Sequence, residues 1–117
     1  MNSYLAVAIG GAVGATLRFA VSEWAGTPQA TLIVNAVGSL LLGICMAALA
    51  NEMISKEMTL LLGTGILGAF TTMSTFSLET VEMWGDDRTR AIGYVLITMI
   101  LCPLLAYAGW KAMETTA

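Results

Sequence analysis

The side chains in this sequence that could do chemistry are mainly hydroxyls, and they are concentrated in one apolar region. Five of the seven residues from 71 to 77 carry a hydroxyl, namely Thr71, Thr72, Ser74, Thr75 and Ser77. Hydroxyls at this density compete for backbone carbonyls and weaken a helix. The ends of a broken helix present carbonyls to cations and N–H groups to anions. The run therefore predicts a helix break that binds an ion, the alternative being that each hydroxyl bonds to its own helix.

Two further sets of polar residues recur at a spacing of four, which places each set on one face of a helix. The first set is Thr31, Asn35 and Ser39, and the second is Tyr94, Thr98 and Cys102. A buried amide such as that of Asn35 needs hydrogen-bond partners, either on a neighbouring helix or in a pore. Tyr94 and Thr98 have a simpler alternative, as an interfacial ring and as a hydroxyl bonded to its own backbone. Hydroxyl and amide hydrogens can solvate a small anion, so these features favour an anion path.

The composition offers little for catalysis or for nucleic-acid binding. The chain has no histidine, and its two cysteines lie in apolar runs without a CxxC spacing, which is typical of reduced, buried thiols. Because the sequence shows no nucleophile–base pair and no cluster of metal-binding side chains, an enzyme is not expected. Five scattered Lys and Arg residues form no basic patch, which argues against a nucleic-acid partner.

The elements that must position these residues are membrane-spanning helices. Hydrophobic residues make up 57% of the 117 positions and charged residues only 11%, too few to cover a soluble globule. Four apolar runs, at about residues 4–21, 30–50, 58–84 and 91–110, have the length of about 20 residues that crosses a bilayer. We therefore predict an all-α membrane protein, a single domain over residues 1–117 with four transmembrane helices. The third run is too long for one straight helix, and its hydroxyls predict a break near the midplane.

The charges that flank these runs give no clear orientation in the membrane. Lys56 and Lys111 fall on one side, whereas Arg18, Arg88 and Arg90 fall on the other. The positive-inside rule then leaves two alternatives. Either one arginine decides the orientation, or copies insert both ways and pair as a dual-topology antiparallel dimer. Four short helices bury little surface among themselves, which independently favours an oligomer.

Small residues in the first run predict close helix packing. Gly10 and Gly14 form a GxxxG step, which lets two helix backbones approach where lipid provides no hydrophobic driving force. A dinucleotide-binding fingerprint is excluded, because the glycine order is GGxxG and no strand precedes it. Arg18 ends the same run, and its side chain can extend to the interface or pair with an acid. We expect structural roles for these three residues.

At these residues the sequence resembles the Fluc (CrcB) family of small bacterial fluoride channels, over nearly its whole length. Residues 10–18, GGAVGATLR, are similar to the family's GGxxGAxxR, and residues 34–43 to its second-helix pattern of Val-Asn followed by two glycines. Residues 68–79, GAFTTMSTFSLE, are similar to the signature GGFTTFSTFSxE. This chain departs from that signature at Ala69, which replaces a glycine, and at Met73, which replaces a phenylalanine.

The resemblance implies passive, selective export of fluoride across the bacterial inner membrane by an antiparallel homodimer with two pores, embedded in lipid. It also implies a fluoride path that consists of Thr31, Asn35, Met73, Ser74, Thr75, Phe76 and Ser77, with Glu79 as the acid of the signature. Tyr94 and Thr98 join this set by their spacing alone. A structural Na⁺ at the dimer axis would be held by backbone carbonyls that match Gly68 and Thr71.

Two other functions compete with this interpretation. A proton-coupled small multidrug transporter has the same size and often inserts both ways, but it needs a carboxylate deep in the first helix. Residues 4–21 contain no Asp or Glu. A non-transporting membrane subunit would show scattered polar residues rather than two aligned stripes and a broken helix.

Overall fold

The computed structural model describes residues 2–116, with side chains described as far as Glu114. Helix α1 covers Ser3–Ala25, α2 covers Gln29–Ala50 and α6 covers Arg88–Thr116. A third span, Lys56–Asp86, is built from several pieces. These four segments are long and apolar enough to cross a membrane, and they enclose the four runs predicted from the sequence. The prediction of an all-helical protein with four candidate spans is confirmed.

The third span changes its helical geometry along its length. It begins with α3 (Lys56–Thr59), continues as a π-helix (Leu60–Leu67) and ends its first half with the single turn α4 (Gly68–Phe70). Its second half is α5 (Met73–Asp86). Short π segments occur often at functional sites, where they widen the helix and shift side chains around its axis.

The predicted break lies between α4 and α5. Thr71 and Thr72 are both extended, with ψ angles of 156° and 114°. The Thr72 hydroxyl then caps α5 by accepting a hydrogen bond from the Thr75 N–H, which is the ordinary role of a threonine at a helix start. The break therefore follows from a hydroxyl-rich sequence that supplies its own cap, and it falls near the middle of the third span.

Glycines let the helix backbones touch. A Cβ on Gly14 would overlap the backbone of Ile66 in the π-helix, and a Cβ on Gly10 would overlap the Leu61 carbonyl. The predicted close packing at the GxxxG step of α1 is therefore confirmed, and its partner is the third span. A similar contact joins α2 to α6, where Gly43 lies against the backbone of Ala106.

The large apolar side chains point outward instead of into a core. Among the described residues Val34 is the one large side chain that is fully buried, whereas Phe19, Leu78 and Ile100 are among the many that are more than half exposed. A soluble protein avoids such a surface, but lipid solvates it. The interior is left to small residues and to the polar groups described next.

Candidate ion-binding site

A buried carboxylate joins three of the helices close to the break. Glu79, on α5, is only 7% exposed. Its Oε2 accepts a hydrogen bond of 2.9 Å from the Thr31 hydroxyl on α2, and its Oε1 accepts one of 2.7 Å from the Tyr94 hydroxyl on α6. Both oxygens are paired, as a buried acid requires. The structure thus brings together three residues that the sequence had assigned to one path.

The ring of Phe76 packs against the cluster that Glu79 forms with Thr31 and Tyr94, called the acid cluster below. Phe76 is buried, and its ring centroid lies 5.2 Å from that of Tyr94 with the two planes tilted by 51°. Tilted aromatic pairs are favourable because the positive edge of one ring meets the negative face of the other. The contact fixes the orientation of the Phe76 ring at the wall of a cavity.

The Asn35 amide holds the backbone of the break. Its Oδ1 accepts a 2.8 Å hydrogen bond from the Thr72 N–H, and its Nδ2 donates a 3.2 Å bond to the Thr72 carbonyl. The amide therefore pairs with this extended residue much as a neighbouring strand would. An amide nitrogen carries two hydrogens, so one remains for a ligand. The structure thus shows the interhelical contact, one of the two alternatives for Asn35, while a role as a donor in a pore stays a prediction.

The break deprives the backbone carbonyls of residues 68–71 of their helical donors, and those of Gly68 and Thr71 are two of these. In a continuous α-helix, the Thr72 N–H would donate to Gly68 and the Thr75 N–H to Thr71. The Thr72 N–H donates to Asn35 instead. The Thr75 N–H donates to the Thr72 hydroxyl at 3.2 Å. The Gly68 and Thr71 carbonyls, which the family resemblance implies as cation ligands, are thereby released from the helix ladder.

Arg18 approaches the same break from α1. Its Nε donates a 3.0 Å hydrogen bond to the Ala69 carbonyl. A guanidinium has five N–H donors, so most of them stay available beside the break. Of the two expected uses of Arg18, pairing with an acid is not seen among the described residues, and the partner is a backbone carbonyl instead.

Two cavities flank the break. The smaller has a volume of about 140 Å³, and its polar lining consists of Arg18, Ser22, Thr27, Thr31, Thr72 and Thr75. The larger has a volume of about 400 Å³, and its lining includes Asn35, Met73, Phe76, Thr98 and Cys102. Thr72 borders both cavities. The Thr72 backbone, which Asn35 binds, therefore lies between the smaller, polar cavity and the larger, more apolar one.

Thr98 presents an unpartnered hydroxyl at the wall of the larger cavity. The residue is 5% exposed, and its Oγ1 has no hydrogen-bond partner among the described residues. The alternative that this hydroxyl bonds to its own backbone is therefore wrong. Leaving a buried hydroxyl unpaired costs about 1–3 kcal/mol, which a bound ligand would recover.

The remaining predicted residues are placed less centrally. Met73 borders the larger cavity but is 63% exposed. The Ser74 hydroxyl lies 3.4 Å from that of Thr72 on the exposed side of α5. Ser77 donates to the Met73 carbonyl of its own helix at 2.9 Å and borders neither cavity. For Ser77 the structure matches the simpler alternative of a hydroxyl bonded within its own helix.

Sequence reasoning missed two residues of the smaller cavity, Ser22 and Thr27. Ser22 follows Arg18 by four residues, which places both on one face of the helix. This spacing could have identified Ser22 as a neighbour of Arg18. Thr27 follows the end of α1, where no periodic pattern applies. The central position of Thr72 was also missed, because a hydroxyl count does not show which residue is extended.

Comparison with known proteins identifies the family. Residues 5–110 match the family model described as CrcB-like protein, Camphor Resistance (CrcB). The chain is 46% identical over 115 residues to the fluoride-specific ion channel FluC of Oceanobacillus iheyensis, covering 93% of this chain and 89% of the relative. It is 42% identical over 114 residues to FluC of Thermotoga petrophila, covering 91% and 90%.

A third relative, the fluoride-specific ion channel FluC 2 of Moorella thermoacetica, is 43% identical over 117 residues, covering 94% of this chain and 95% of the relative. The matches extend over nearly all of both chains, so they include the broken span and both stripes. They agree with the family resemblance seen in the three motifs, and these relatives are ion channels, not enzymes. The chain is a multi-pass membrane protein that belongs to the CrcB family of fluoride-specific ion channels.

Proposed function

We propose that this chain conducts fluoride passively and selectively out of the bacterial cell. The observation that carries the proposal is the donor-lined route past Thr72, with hydroxyls and a guanidinium in the smaller cavity and an amide in the larger one. The one carboxylate beside this route, Glu79, has both oxygens occupied by neighbouring hydroxyls. An anion therefore meets hydrogen-bond donors along the route, and the Glu79 carboxyl lines neither cavity.

The chemistry of this route suits a small, strongly hydrated anion. Fluoride gives up its water only where dense donors replace the hydration shell, and conduction also requires that each site release the ion. Arg18 supplies a fixed positive charge at the smaller cavity, and the Asn35 amide supplies a neutral donor at the larger one. Charge would then gather the anion on one side, while weaker neutral donors pass it on.

The acid cluster tunes these donors. A hydroxyl has a single hydrogen, and those of Thr31 and Tyr94 are both directed to Glu79. An anion that takes the Thr31 hydrogen must compete with the carboxylate, which weakens its binding. We assign Glu79 the role of keeping fluoride binding weak enough for the ion to be released.

We propose that the functional unit is an antiparallel homodimer with two pores. The support is a larger cavity whose wall carries the unpartnered hydroxyl of Thr98 and the 63% exposed side chain of Met73. A second copy laid across this cavity would close it and supply the missing hydrogen-bond partner. The nearly equal numbers of positive charges on the two sides permit both orientations in the inner membrane.

The same dimer would hold a structural Na⁺ at its centre. The Gly68 and Thr71 carbonyls, released from the helix ladder as described above, are hard oxygen ligands of the kind that Na⁺ takes. The residues present therefore fit the cation. When bound, it would supply a fixed positive charge at the break, and the carbonyls of both subunits would hold it.

The test is anion efflux from liposomes that contain the purified protein, followed with fluoride and chloride electrodes in parallel. We expect rapid fluoride release with no chloride release above that of empty liposomes. Release of both anions at similar rates would contradict selectivity. No fluoride release from well-folded protein would contradict the channel and turn attention to proton-coupled export, although the one acid of α1, Glu23, is exposed near the helix end.

A further inference from the structure

The larger cavity is lined by three sulfur side chains, one of which, Met73, also belongs to the implied fluoride path. Met73 begins α5, while Met99 and Cys102 lie on α6 three residues apart, on one face of the helix. All three border the cavity. Met73 and Met99 are each more than half exposed, and Cys102 is a free, partly exposed thiol. The three sulfur-containing residues thus line one cavity, and each of them is at least partly exposed.

These side chains share a preference for soft metal ions. Thioethers and thiolates select Cu⁺ and Ag⁺ over hard cations, which prefer oxygen. The described lining of this cavity contains no Asp, Glu or His that would favour a harder metal. The cavity therefore offers soft ligands without a competing carboxylate or imidazole.

We propose that Met73, Met99 and Cys102 bind a soft monovalent cation, Cu⁺ or Ag⁺, in the larger cavity, and that bound metal blocks the ion path there. The Cys102 thiol releases its proton to water as the sulfur–metal bond forms, whereas the two thioethers donate lone pairs and break no bond. No electrons are exchanged. The metal site stands on the sulfur cluster alone, and the block rests on the proposed fluoride path.

Direct binding tests the metal site without any transport. Purified full-length protein is mixed with silver nitrate in buffer free of chloride and thiols, desalted, and analysed for bound silver. We expect about one silver ion per chain in wild type and a loss of most of it in Cys102→Ser. Met73→Leu and Met99→Leu should each weaken binding by about tenfold, because each removes one soft ligand.

The second thiol provides the matched control. Cys45 is buried on α2 against Gly63 and does not border the cavity. Cys45→Ser should therefore retain silver binding. Equal silver binding by Cys102→Ser and wild type, or loss of binding in Cys45→Ser, would overturn the proposed site.

Fluoride efflux tests the block. Each variant is compared with its own rate before silver is added, in chloride-free liposomes. We expect silver to stop efflux in wild type and in Cys45→Ser, and Cys102→Ser to need at least about tenfold more silver. Silver that binds through Cys102 without slowing efflux would overturn the block, whereas absence of fluoride efflux in untreated liposomes would count against the proposed channel and not against the metal site.

Discussion

Asn35→Asp is the substitution that tests the proposed path most directly. The new carboxylate keeps the oxygen that accepts the Thr72 N–H, but it replaces the Nδ2 donor with an oxygen facing the Thr72 carbonyl across 3.2 Å. It also removes the one amide hydrogen left for a ligand. The change therefore introduces negative charge and deletes a donor at the same point, with almost no change in volume.

The magnitude follows from Coulomb's law. At an effective dielectric constant of about 20 and a separation of about 5 Å, two like unit charges repel by about 3 kcal/mol. Fluoride occupancy beside the new carboxylate would then fall by roughly two orders of magnitude. We expect fluoride efflux in Asn35→Asp to drop by at least that factor, since the lost amide donor adds to the repulsion.

The assay is fluoride efflux from liposomes, with Asn51→Asp as the matched control. Asn51 lies at the exposed C-terminal end of α2, away from both cavities, so the same chemical change there should leave efflux unaltered. Gel filtration and thermal melting check that both variants fold. Efflux in folded Asn35→Asp within threefold of wild type would refute the placement of Asn35 on the path.

Three further predictions follow from other parts of the structure. Phe76→Ile removes the ring pair with Tyr94, worth about 0.5–1.5 kcal/mol, and it removes the ring edge at the cavity wall. Fluoride efflux should fall about tenfold or more, while the oligomer stays intact. Unchanged efflux would mean that the Phe76 ring serves only to pack the helices. Gly14→Leu places a side chain into the Ile66 backbone, so the thermal midpoint of the detergent-solubilised protein should fall by several degrees. Gly11→Leu, where a Cβ meets open space, should leave the midpoint nearly unchanged. Equal shifts in the two variants would contradict the helix contact at Gly14. Cysteines placed one at a time in the exposed loops of a cysteine-free variant should be labelled from outside in comparable amounts on both faces, and labelling of one face alone would contradict dual topology.

The sequence predicted the helices and the break because both depend on local chemistry. The four spans follow from apolar length, and the interruption at Thr71 and Thr72 follows from hydroxyls that compete with the helix ladder. The close packing at the GxxxG step could be predicted as well, because small residues in a membrane helix serve mainly to let helices approach. In these cases the residue types alone indicate which local structure is favourable.

The pairing of side chains across helices could not be predicted in the same way. Spacing placed Thr31 and Tyr94 on helix faces, but only the packing of α2, α5 and α6 shows that both donate to Glu79. Likewise, the amide of Asn35 was ambiguous between helix contact and pore donor, because a single sequence does not reveal what lies opposite. The bond from Arg18 to Ala69 depends on the close approach of α1, which the glycines permit without specifying the partner.

The break gives two of its N–H donors side-chain partners, and it leaves the Gly68 and Thr71 carbonyls without their helical donors. A side chain, Asn35, takes the Thr72 N–H, and the Thr72 hydroxyl takes the Thr75 N–H. The carbonyls of Gly68 and Thr71 are the groups that lose their donors in this exchange. In lipid an unsatisfied carbonyl costs several kcal/mol, and a cation is the partner that oxygen ligands take most strongly.

In the proposed channel, this imbalance lets the anion path lie beside the proposed cation site. A cation that satisfies these carbonyls adds positive charge at the break, and Arg18 adds another on the side of the smaller cavity. Both charges favour an anion on the neighbouring hydroxyl and amide hydrogens, and the Glu79 carboxyl borders neither cavity. Replacing the broken helix with a continuous one would return the carbonyls to the ladder and remove the reason for either ion to bind. We therefore expect fluoride conduction to depend on the cation held at the break, so that efflux from liposomes prepared with Na⁺ replaced by a bulky organic cation on both sides should fall sharply, and efflux that is indifferent to this exchange would contradict the coupling.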